Sequence, residues 1–118
     1  IQANIINAGV VAPGLNAGGF GILTIQGNYI QLAAGRLRLE IFGASTGSQH
    51  DQIVVSGTAT LAGDLEIVPQ TGISLAVQSF FMAMRYGSRQ GTFTRVTASS
   101  LTWETMYETA EIRLRRLS

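Results

Sequence analysis

Three observations predict an all-β chain built as a parallel β-solenoid. First, apolar residues alternate with polar ones in short stretches, the two-residue period of a strand that buries one face. The apolar members are Leu23/Ile25, Leu37/Leu39/Ile41, Ile53/Val55, Leu65/Ile67 and Ile112/Leu114. Second, the stretches repeat at long range. Leu23 falls on Ile53, Ile25 on Val55 and Gly27 on Gly57, each 30 residues apart, while Gly35 falls on Gly63, Leu37 on Leu65 and Leu39 on Ile67, each 28 apart. Gly9, followed by Val10 and Val11, stands 26 residues before Gly35 as an earlier copy. Third, the chain holds 11 Ile, 7 Val and 11 Thr with 14 Gly and only 2 Pro, which suits many short strands joined at glycine turns.

A repeat of about 26–30 residues carrying two or three short strands reads as one coil of a solenoid. One coil cannot bury its inward face, whereas stacked coils cover one another. Gly27, Gly35, Gly57 and Gly63 mark the corners, where the backbone turns sharply. In this register Arg36 sits beside Asp64 and Arg38 beside Glu66 on the outer face. Such cross-strand pairs contribute a few tenths to ~1 kcal/mol each, so these four charges need no catalytic explanation. A β-sandwich is the rival, and the lack of Asn-Gly or Asp-Gly hairpin signals weighs against it.

In chain order, residues 1–70 are expected to form regular stacked coils, 71–90 an irregular coil and 91–118 the closing strands of one module. Within the irregular part, 75–86 reads as a strand, because Phe80, Met82 and Met84 alternate. The closing part holds Phe93, Trp103, Tyr107 and an Arg-rich last strand.

The chain has 118 residues, enough for one real core. Its 46% hydrophobic and 13% charged content argues against intrinsic disorder. A net charge of +1 provides no global field for nucleic acid or anionic membrane, so neither nucleic-acid binding nor membrane insertion is expected. With no Cys there is no disulfide and no thiolate chemistry. Charge is unevenly placed: residues 1–35 carry none, while residues 85–118 carry six Arg against Glu104, Glu108 and Glu111. An uncharged first third suits an end that stacks on more of the same protein. That pattern, with Ile1 in first position, leads to the expectation of a fragment of a longer secreted protein.

The stretches Gly21-Ile-Leu-Thr-Ile-Gln-Gly27-Asn-Tyr-Ile-Gln31, Gly35-Arg-Leu-Arg-Leu-Glu-Ile41 and Asp51-Gln-Ile-Val-Val-Ser-Gly57-Thr-Ala-Thr-Leu-Ala-Gly63-Asp-Leu-Glu-Ile67 resemble the autotransporter-type β-helix repeat of bacterial surface proteins. Gly91-Thr-Phe93 and Leu101-Thr-Trp103 with Tyr107 resemble the segment that closes such repeats. The resemblance implies a single-stranded right-handed parallel β-helix with a C-terminal capping segment. It further implies an extracellular or cell-surface setting and no catalytic set.

Candidate chemistry is sparse. His50-Asp51 could serve acid/base work, but the commoner reading is a corner in which Asp51 bonds turn backbone. Glu40, Asp64 and Glu66 could mimic the paired acids of polysaccharide-cleaving enzymes, yet two of the three already have Arg partners. Thr58-Ala-Thr60 and Thr92-Phe-Thr94 lie 34 residues apart, off the repeat, and make no array. Arg113, Arg115 and Arg116 read as charges that block edge pairing rather than as a phosphate site. Trp103 and Tyr107 are the candidate ligand or cap residues: aromatics plug an open core end more often than they stack on a sugar.

The expected function is therefore a non-catalytic structural module, with no cofactor and no metal. It would associate end to end with other copies of itself, as a fibre, or with preceding coils of its parent chain. The alternative is an adhesin or carbohydrate-binding module using exposed aromatics.

Overall fold

Alternation in the sequence becomes alternation in space. Along Arg36–Ile41 the Leu37, Leu39 and Ile41 side chains are fully buried, while Arg36 and Arg38 are exposed. The computed structural model describes residues 3–13, 21–43, 50–69, 75–98 and 102–117. Among these the strands are β1 (Ile5–Asn7), β2 (Val10–Val11), β3 (Ile22–Ile25), β4 (Tyr29–Gln31), β5 (Arg36–Ile41), β6 (Gln52–Leu61), β7 (Asp64–Pro69), β8 (Phe80–Gly91), β9 (Arg95–Ala98), β10 (Trp103–Tyr107) and β11 (Glu111–Arg116).

They form two sheets. A four-stranded sheet runs β2-β5-β7-β9 and is parallel throughout. A seven-stranded sheet runs β1-β4-β6-β8-β11-β10, with β3 also beside β6. In it β1, β3, β4, β6 and β8 pair in parallel, and β8-β11 and β11-β10 are antiparallel. This mixed sheet overturns the expectation of a single-stranded right-handed parallel β-helix. After β10 the chain turns back through residues 108–110, closed by the Glu108 N–H donating to the Glu111 carbonyl at 2.9 Å or less (2.8 Å). A three-residue hairpin loop needs no Asn-Gly pair, and that is why the missing turn signal misled.

Within the parallel part, Arg36 lies opposite Asp64 and Arg38 opposite Glu66. Leu23 lies opposite Ile53 and Ile25 opposite Val55. These are the pairs that the 28- and 30-residue offsets place together. The stretch expected to be irregular, 71–90, instead contains most of β8, at 12 residues the longest strand. It pairs with β6 from Ile53↔Met84 to Leu61↔Gly91. Its register shifts once, between Val55 and Thr58, as one extra residue in a bulged strand requires.

The core is continuous between the sheets. Leu37, Leu39, Ile41, Leu65 and Ile67 from the smaller sheet meet Ile25, Ile53, Val55, Phe81, Met84, Ile112 and Leu114 from the larger. Fully burying side chains of this size contributes about 1.5–3 kcal/mol each, so these columns hold the sheets together.

Candidate functional site

No cluster of reactive groups dominates the molecule, so the features able to carry function are its sheet edges, its corners and one cleft. Among the described residues β1 pairs only with β4, and β2 only with β5. The Ile5 N–H donates to the Asn28 carbonyl and the Arg36 N–H to the Gly9 carbonyl. Alternation along a parallel ladder then turns the backbone groups of Ile6 and Val10 away from their partners. Their side chains are 66% and 63% exposed. No charge, bulge or covering element of the described chain protects these edges, and an unprotected edge is a template for another strand.

Glycines stack beneath this end in two columns. A side chain at Gly63 (φ +64°) would press on the Gly35 and Leu32 carbonyls, and one at Gly35 on the Asn7 carbonyl. One at Gly57 would meet the Gly27 carbonyl at 2.7 Å. All four expected corner glycines are thus at close backbone approaches. Gly87 and Gly91 continue the columns, against the Ser56 carbonyl and the Leu61 carbonyl respectively. Their spacing of 30 from Gly57 and 28 from Gly63 was a readable signal that had gone unused. Beside the first column, side-chain oxygens accept from the next layer: Asn4 Oδ1 from the Asn28 N–H at 2.9 Å and Asn28 Oδ1 from the Thr58 N–H at 2.8 Å.

The expected ion pairs are present but loose. Arg36 reaches Asp64 at 3.7 Å and Glu66 at 3.9 Å, and Arg38 reaches Glu66 at 3.8 Å. The Arg side chains are about half exposed, and such pairs stabilise by well under ~1 kcal/mol.

The acid/base candidates are internal. Asp51 is 0% exposed, and its carboxylate accepts the Gly21 N–H at Oδ1 and the Glu40 N–H at Oδ2, both at 2.9 Å. His50 is also 0% exposed; its Nδ1 lies 2.7 Å from the Asp51 carbonyl, and its ring packs on Phe81 at 4.8 Å. Asp51 therefore clamps the strands around β5, and neither group meets solvent. Among the described residues no three His, Asp or Glu side chains converge as a metal site needs.

A buried polar network went unnoticed in the sequence because its members are neutral and scattered. Asn7 Nδ2 donates to the Tyr29 hydroxyl at 3.0 Å and the Arg36 carbonyl at 2.9 Å. Tyr29 donates to Gln31 Oε1 at 2.6 Å, and Gln31 Nε2 donates to the Ala62 and Asp64 carbonyls. Burial pushes the Tyr29 phenol up to about 12, offset in part by the bond from Asn7. This network spans three layers and ties both sheets.

At the other end, Trp103 is half-buried and meets Phe81 edge to face at 5.6 Å. The Tyr107 hydroxyl accepts the Phe93 N–H at 3.2 Å, and the Arg89 guanidinium covers its ring at 4.8 Å. Both aromatics from β10 thus engage the underside of the last parallel layer. The Tyr86 hydroxyl, 2.6 Å from the Glu108 carbonyl, pins the hairpin turn. Beside Trp103 lies an open cleft of about 360 Å³ lined by Val96, Thr97, Ala98, Thr102 and Trp103. Comparison with protein-family models and with curated proteins returns no match.

Proposed function

We propose that the chain is a non-catalytic structural module that continues a stack of parallel strands at its β1/β2 end. The observation that supports this reading most is the pair of uncovered edges at one end. Both sheets begin there on unpaired strands, in a third of the chain that carries no charge. The strands that cover them come from preceding residues of a parent chain or from another copy. An extracellular or cell-surface setting rests on the resemblance to surface-protein repeats.

The cap role suits Trp103 and Tyr107 better than a sugar platform does. The Tyr107 ring is already under Arg89, and Trp103 is packed on Phe81. The carbohydrate-binding reading keeps only the cleft beside Trp103 in its favour.

Amide exchange and light scattering over a concentration series test the reading. Protection of the Ile6 and Val10 amides that grows with protein concentration, together with rising mass, assigns the edge to a second copy. A monomer whose Ile6 and Val10 amides exchange fast, and become protected when further upstream strands are joined to the chain, assigns it to the parent chain. Slow exchange at both amides in a dilute monomer refutes the open edge.

A further inference from the structure

The two sheets end unevenly at the hairpin side. Past β8 the larger sheet adds β11 and β10, whereas past β9 the smaller sheet adds nothing among the described residues. The difference is two strand spacings, roughly 10 Å. The cleft lined by Val96, Thr97, Ala98, Thr102 and Trp103 lies on this ledge. A second open cleft shares Thr97 and Ala98 and extends to Arg38 and Glu66 on the outer face.

The backbone of β9 is turned the right way for pairing. The Arg95 N–H donates to the Gly63 carbonyl. By the alternation of a parallel ladder, Val96 and Ala98 direct their N–H and C=O groups to the free side. The outer face has a charge series as well: Arg36 lies opposite Asp64, and Asp64 opposite Arg95. Arg95 is exposed and has no ion pair among the described residues. The next place in the series, beside Arg95, is one a carboxylate would fill.

We propose that the free edge of β9 binds one extended peptide segment of another protein as an added fifth strand. That segment carries a carboxylate beside Arg95 and apolar side chains beside Val96 and Ala98, the second of them entering the cleft at Trp103. Main-chain bonds give such strand addition its affinity, and alternate side chains give it specificity. A second copy of the chain is the wrong occupant. Docked with its β2 on β9, it would bring its β1 to the level where β11 already runs. A single strand meets no such obstacle. The residues Asp64-Leu65-Glu66-Ile67 have the required pattern and pair with β9 on its other side.

The test titrates the purified chain with a synthetic peptide copying residues 63–69 and reads the emission of Trp103, the only Trp. Expected is a saturable change, weakened about tenfold when the peptide's Asp and Glu are replaced by Lys, the effect of reversing two partly exposed pairs. Arg95→Glu should invert that preference between the two peptides. Ala98→Pro removes one edge donor at the end of β9 and should weaken binding several-fold while the thermal transition stays in place. Four outcomes overturn the proposal: no saturable change, a change indifferent to both variants, a change that tracks growth in mass, or a change produced by oligosaccharides and not by the peptide.

Discussion

Gly63→Ala and Gly9→Ala test the glycine columns against each other. At Gly63 the backbone is left-handed (φ +64°), a conformation that costs an L residue roughly 1–2 kcal/mol. The new methyl would also lie 2.7 Å from the Leu32 carbonyl and closer still to that of Gly35. Both acceptors belong to the adjacent layer and cannot swing away as a flexible side chain would. Displacing packed backbone adds about 1–3 kcal/mol. Against this, alanine lowers the entropy of the unfolded chain, a gain of about 0.4–1 kcal/mol. The net expectation is a loss of roughly 2–4 kcal/mol for Gly63→Ala. Gly9 occupies the head of the same column, yet a methyl there meets nothing within 4 Å among the described residues, and its φ lies outside the left-handed region. Only the entropic gain remains, so Gly9→Ala should be neutral or stabilising by up to ~1 kcal/mol in the isolated chain. Urea unfolding of the three proteins at one pH measures both values. A Gly63→Ala loss below ~1 kcal/mol, or equal losses at the two sites, would refute the argument that layer contact explains the glycines.

Asp51→Asn replaces one accepting oxygen with an NH₂ that faces a backbone N–H, either that of Gly21 or that of Glu40. It should cost about 2–4 kcal/mol, since a buried donor loses a charged partner, and urea midpoints check it. Because Tyr29 is raised to about 12 in the fold, the folded state holds that proton more tightly than the unfolded chain does. Its contribution to stability is present below pH ~10 and is lost between pH ~10 and ~12, a fall of about 2–3 kcal/mol. Tyr86 and Tyr107 are also raised by burial and act in the same direction, so Tyr29→Phe should flatten the alkaline slope without abolishing it. Tyr86→Phe removes the hydroxyl from the Glu108 carbonyl and should speed amide exchange at the hairpin turn while costing only ~1 kcal/mol overall.

The parallel register was legible because its cause is local and repeated. Each glycine needed at a close approach recurs at a fixed offset, and the apolar residues between glycines keep their phase. Arg36 opposite Asp64 follows from that spacing alone. Strand direction was not legible in Ile112 and Leu114, because a two-residue period is the same whether the strand continues a parallel stack or returns antiparallel. β11 returns, and the turn that makes it do so, Glu108–Glu111, contains no glycine. The strand β8 was missed for a different reason. Its apolar half, Phe80 to Met84, fits helix or strand, and its polar half, Gly87 to Gly91, is marked only by the glycine columns. The Asn7–Tyr29–Gln31 network gave no sign because neutral polar residues on strands are ordinarily solvated; only the fold puts them inside.

Edge protection and charge vary together along the molecule, and this gives the module a direction. The hairpin end is blunted: β10 is the edge strand, with Glu104 paired to Arg115, and β11 carries Arg113 and Arg116 with a register shift after Ile112. Charged side chains and irregular pairing are the usual means by which an edge resists unplanned strands. The β1/β2 end has neither, although Ile6 and Val10 expose large apolar side chains there. If both ends were free surfaces under the same pressure against aggregation, both should carry such protection. The difference follows if one end is normally covered. Gly9 fits the same explanation, because it keeps the column's residue at a position where the described chain requires neither its small size nor a left-handed backbone. Further strands over β1 and β2 would restore the contact that makes glycine necessary. Gly9→Val would then be tolerated in the isolated chain and would block the covered state, a difference that separates a built interface from an edge left open by chance.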